Sequence, residues 1–91
     1  MTTITPTTAN EWMSHGKILS DHLSRYEEAI EALKNAGDDP SLRAEANWRI
    51  GNIYQFSVSN IEMARAHYEI SVQANQDYSL ANYSLGTLLA N

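Results

Sequence analysis

Residues 46–56 read ANWRIGNIYQF, and 35 positions on residues 81–91 read ANYSLGTLLAN. Ala46, Asn47 and Gly51 return as Ala81, Asn82 and Gly86, while Trp48, Ile50 and Tyr54 are answered by Tyr83, Leu85 and Leu89. The same interval towards the N-terminus reaches residues 11–21, EWMSHGKILSD, whose Gly16 completes a series of three glycines in one phase. Between the glycines, Ile18, Ser24, Glu27 and Ala29 recur as Ile53, Ser59, Glu62 and Ala64, and Leu33 recurs as Tyr68. A period of this length marks one supersecondary unit copied and stacked, each copy covering the apolar face of the next.

The unit reads as a pair of helices. Thr8 with Glu11, Ser24 with Glu27 and Ser59 with Glu62 have capping-box spacing, in which a hydroxyl and a carboxylate satisfy the free amides of a helix start. Asp39 before Pro40 is a further start, because proline at the first helical position lacks an amide that has no partner there anyway. Asp77 is placed to cap a last helix. These signals predict helices over about 9–22, 25–36, 41–56, 60–74 and 78–90, with ends good to about 2–4 residues. No useful stretch alternates apolar and polar residues at period two, so the expected fold class is all-α, two hairpins plus a fifth helix. The expected organisation is a flexible tail over residues 1–8 and a single domain over 9–91.

Glycine inside a helix costs about 1 kcal/mol relative to alanine, so its return at a fixed phase asks for a cause. Close helix crossing supplies one, with Gly16 and Gly51 expected to face Ala29 and Ala64 and with Leu19, Leu33, Tyr54 and Tyr68 filling the flanks.

Composition bounds the function. A chain of 91 residues holds one small domain, and with no cysteine it has neither disulfides nor thiolate metal ligands. The threonine-rich start, Met1 to Asn10, lacks the basic and apolar regions of a signal peptide, and no run reaches the roughly 20 apolar residues of a membrane span. A cytoplasmic location is the expectation. A formal charge of −5 with scattered Lys and Arg argues against nucleic acid as a partner. His15 and His22 lie about 10 Å apart along one helix, too far to share a metal without other ligands, and His67 is alone in sequence. Glu27, Glu28 and Glu31 suit a helix start, Asp38 and Asp39 suit a turn, and neither a phosphate loop nor a nucleophile motif is present. No enzyme, metal or cofactor is expected.

The pattern resembles the tetratricopeptide repeat family, whose unit of about 34 residues starts W-x-x-L-G-x-x-Y and continues with A-x-x-x-F and a terminal proline. Trp12, Gly16, Leu19, Ala29 and Leu33 match in the first unit, and Ile50, Gly51, Tyr54, Ala64 and Tyr68 in the second. Leu85, Gly86 and Leu89 open a third unit that has only its first helix, so the resemblance covers about residues 11–90. His15 departs from the usual aliphatic residue, Pro40 falls one place early, and Asn75 or Gln76 stands for the second proline. The extra residue per unit falls in the turns near Ser24 and Ser59.

The resemblance implies a right-handed superhelical array that binds a protein or peptide on the concave face made by the first helix of each unit. The Lys, Asn and Arg set with which some members clamp a partner's terminal carboxylate is not reproduced, since Met13, Lys17, Arg49, Leu80 and Ser84 occupy those positions. Instead Trp48, Asn52 and Phe56, at i, i+4 and i+8, form a stripe flanked by Met13 and Lys17 on one side and by Tyr83 and Thr87 on the other. Such a stripe serves either packing or a partner, and aromatic residues dominate binding hot spots. The leading expectation is a non-enzymatic adaptor, scaffold or small chaperone receiving a partner peptide or helix. The alternatives are self-assembly, as a homodimer through the C-terminal helix with its Leu85, Leu88 and Leu89, and a small acidic inhibitor of a basic nucleic-acid-handling protein. Salt dependence separates the last from an aromatic groove.

Overall fold

The computed structural model describes residues 6–90, which form five helices: α1 (Ala9–Asp21), α2 (Tyr26–Ala36), α3 (Arg43–Asn52), α4 (Ile61–Ala74) and α5 (Ser79–Ala90). One π-helical turn, Ile53–Ser57, continues α3. Helices α1 and α2 pack as one hairpin, α3 and α4 as a second, and α5 lies against α4 with a smaller contact on α3. The described residues extend 48 × 26 × 15 Å, and the thin axis suits two layers of helices packed about 10 Å apart.

The start of α1 forms as its sequence requires. Glu11 N–H donates to Thr8 Oγ1 at 3.1 Å, and Thr8 N–H donates back to Glu11 Oε1 at 3.0 Å, closing the capping box. Thr7 also donates to the same carboxylate, through its hydroxyl at 2.9 Å and its amide at 3.3 Å. Those bonds hold the Glu11 carboxyl below its usual pKa, the Thr7 hydroxyl contributing most. Of the tail expected over 1–8, residues 1–5 lie outside the described residues, while Thr7 and Thr8 are tied to α1.

The other two hydroxyl caps are replaced by a different device. Ser24 and Ser59 stand in the left-handed region, at φ 53° and 60°. Arg25 and Asn60 take the N-cap positions, and the Asn60 side chain accepts from Met63 N at 3.1 Å. The two turns are copies: Leu23 N donates to Ile18 O (3.2 Å) and Arg25 N to Leu19 O (2.9 Å), as Val58 N does to Ile53 O (2.9 Å) and Asn60 N to Tyr54 O (2.7 Å). Bonds reaching back five and six residues are wider than the α-helical four, so each unit absorbs one additional residue at this place. A left-handed serine then turns the chain.

Asp39 and Pro40 also act slightly differently from expectation. The Asp39 carboxylate accepts from the amide and the hydroxyl of Ser41, at 2.9 and 2.8 Å, which makes a local turn, and α3 begins only at Arg43. Arg43 reaches back to the carbonyl of Gly37 at 3.0 Å, satisfying an oxygen left free at the end of α2.

The crossings use the glycines, but against other partners than the alanines alone. A Cβ added to Gly16 would lie 2.7 Å from Leu33 Cγ and 3.3 Å from the Ala29 carbonyl, and one added to Gly51 would lie 2.5 Å from two ring carbons of Tyr68. The large residue of the next helix thus sits over each glycine. Ala29 and Ala64 are fully buried and let the backbones approach. Around these crossings Met13, Leu19, Ile30, Leu33, Ile50 and Ile53 form the core.

Candidate functional site

The C-terminal half of α1 faces the α3–π segment. Between them lies a cleft of about 200 Å³, lined by Lys17, Ser20 and Asp21 from α1, by Arg49, Asn52, Ile53, Phe56 and Ser57, and floored by Leu33. Phe56 is 75% exposed at its rim. A phenyl ring left that open within a π turn is unusual cargo for solvent, since burying it elsewhere is worth roughly 1.5–3 kcal/mol.

Charge in the cleft is shared rather than free. Glu45 Oε2 accepts from Arg49 Nε at 2.9 Å and lies 3.6 Å from Lys17 Nζ, so one carboxylate joins α1 to α3. Burial works against its ionisation, yet the Arg49 hydrogen bond and charge, with Lys17, hold Glu45 below its usual pKa. The Arg49 guanidinium carbon also lies 5.5 Å from the Trp48 ring centroid. The Tyr68 hydroxyl lies 2.7 Å from both Asn52 Oδ1 and Gln55 Oε1 and shares its one proton between them, so the phenol that fills the space over Gly51 also fixes a polar group at the cleft. Burial pushes the Tyr68 pKa up.

Lys17, Asn52 and Phe56, three of the residues expected from the sequence, therefore share one cleft. Met13 does not join them. It is 4% exposed and belongs to the core, because its face of α1 is covered once the two hairpins stack. Trp48 is half-buried and joins α3 to the last helix: its indole N–H donates to Ser84 Oγ at 3.0 Å, and its ring meets Tyr78 edge-on at 6.2 Å. Tyr83 and Thr87 are exposed on α5 and do not line the cleft, so the continuous aromatic stripe expected across three helices is divided. Arg49, Ser20, Asp21 and Ser57 enter the cleft without a strong signal in the sequence. Arg49 stands out in the sequence only as one of the residues at the carboxylate-clamp positions, in a set that is not reproduced.

Among the described residues no three His, Cys, Asp or Glu side chains converge as a metal site would need. No described helix is long and apolar enough to cross a membrane. No protein-family model, curated protein or solved structure matches the chain.

Proposed function

We propose that this protein is a non-enzymatic binding module of tetratricopeptide-repeat type, its hairpins continuing as a right-handed superhelix, and that its cleft between α1 and the π segment receives a peptide or helix of another protein. The observation that carries this reading is Phe56, open to solvent beside Lys17, Arg49 and Asn52. An exposed aromatic anchor ringed by polar groups is the composition of a binding hot spot. Lys17 and Arg49 are both engaged by Glu45, so a ligand finds an apolar anchor ringed by polar groups that are already neutralised rather than a free cation.

The test is selection of binding peptides from a random library on the immobilised protein, followed by titration against Phe56→Ala. Truncation should weaken the selected peptides by about 2 kcal/mol, roughly 30-fold, with helicity unchanged. Equal affinity for the variant removes the cleft from consideration. Loss of binding at high salt irrespective of Phe56 would instead favour the acidic-inhibitor reading, since charge-driven contacts are screened.

A further inference from the structure

The internal repeat specifies what belongs over the last helix. In α1 and α3 the glycine of the unit is the seat of a crossing helix, occupied by Leu33 over Gly16 and by Tyr68 over Gly51. Gly86 is the third member of that series, and a Cβ placed on it would meet nothing within 4 Å. Helix α5 buries only Ala81, while Tyr83 and Leu89 are 76% and 55% exposed. It is the first half of a hairpin whose second half is not among the described helices.

We propose that this seat is filled by α5 of a second copy of the chain, in a two-fold symmetric antiparallel pair. Two observations choose that occupant. First, α1 to α4 are already matched in hairpins, so the one helix a second copy can offer with an open crossing face is its own α5, and a two-fold axis covers both seats at once. Second, from Tyr78 to Asn91 the sequence has no Asp, Glu, Lys or Arg, although the chain as a whole carries −5. A charged partner finds no counter-charge on this helix, whereas a like copy brings an equally uncharged one. Continuity with the existing crossings gives the geometry: a leucine or tyrosine of one α5 lies over Gly86 of the other, as in the two hairpins of the chain. The interface is one helix long, so the pair is weak and concentration-dependent.

Sedimentation equilibrium over a concentration series up to about 1 mM tests this. The wild-type chain should pass from monomer to dimer, and Leu89→Glu and Tyr83→Glu should each raise the dissociation constant at least about tenfold while circular dichroism stays unchanged, since both side chains are exposed in the monomer. Phe56→Ala should leave the dimer intact, which separates this proposal from the cleft. A monomer throughout the range overturns it and leaves the face to a helix of a different protein. A dimer indifferent to both charged substitutions, or one lost in Phe56→Ala, overturns it as well.

Discussion

Three glycines in one repeat phase meet three different environments, which makes them a matched series within one chain. Gly51→Ala drives a methyl into the Tyr68 ring, whose hydroxyl is held between Asn52 and Gln55 and keeps it from retreating. Overpacking of about 1–3 kcal/mol then outweighs the gain of up to about 1 kcal/mol in helix propensity. We expect a lower melting temperature. Gly16→Ala meets Cγ and Cδ2 of the buried Leu33 at 2.7 and 2.8 Å, less closely than Gly51→Ala meets the Tyr68 ring at 2.5 Å, and should cost less. Gly86→Ala meets nothing and should raise the melting temperature when measured in dilute, monomeric solution, 1 kcal/mol corresponding to about 4–8 °C in a domain of this size. An equal effect at all three positions would contradict the crossings described. The left-handed serines give a second residue-scale prediction: Ser59→Val should destabilise by about 1–2 kcal/mol, because a β-branched residue at positive φ is strained, whereas Ser59→Gly should be neutral or stabilising. Thermal denaturation of both variants checks the turn.

The two hairpins share a backbone plan but not a glue. Ala32, Leu33 and Ala36 on α2 correspond in the repeat to His67, Tyr68 and Ser71 on α4, so hydrocarbon in the first crossing is replaced by hydrogen bonds in the second. Ser71 Oγ donates to the Ala44 carbonyl at 2.6 Å, and His67 Nδ1 lies 2.9 Å from Asn47 Oδ1. Asn47 Nδ2 is committed to the Arg43 carbonyl, which turns its oxygen towards His67 and makes Nδ1 the protonated ring nitrogen. The imidazole is 8% exposed and stacks on Tyr54, and burial, followed by the charge of Lys34, holds its pKa below 6.5. The sign of the consequence follows from linkage. Well above pH 6.5 His67 is neutral in both states; as the pH falls through that range the unfolded chain takes up the proton that the folded chain resists, so stability falls as the pH falls. The melting temperature should therefore drop between pH 7.5 and 5.5, and His67→Gln should flatten that drop. A wild-type profile parallel to that of the variant would show that His67 contributes none of it.

At the scale of the molecule, stability is graded along the array. Helices α1 to α4 bury most of the core, while α5 is anchored by Ala81 and by Trp48, whose hydrogen bond to Ser84 and ring contact with Tyr78 span the gap. An element with one buried residue opens before the rest. Amide hydrogen exchange should show α5 exchanging faster than α3 and α4 in dilute solution, and Trp48→Phe, which keeps the ring but removes the indole N–H, should accelerate exchange in α5 alone. Uniform acceleration through α3 and α4 would make Trp48 a core residue rather than a tether.

The spacing of Gly16, Gly51 and Gly86, the capping pair Thr8 and Glu11 and the absence of period-two segments were enough to read five helices, their limits to within a few residues and their pairing as hairpins, because all of these depend on neighbours within a few turns. The sequence also placed Lys17, Asn52 and Phe56 on related faces. It could not place Met13 in the core or Trp48 under α5, since a shared helix face says nothing of which distant helix covers it. Nor did a serine and a glutamate at capping distance reveal the left-handed turns at Ser24 and Ser59. There the wide turn and the demand to bring the next helix back over a glycine, made by residues such as Tyr68 far along the chain, outweigh the local cap. Periodicity is a one-dimensional property; which side chain fills the space above Gly51, and that none fills it above Gly86, is settled only when the hairpins stack.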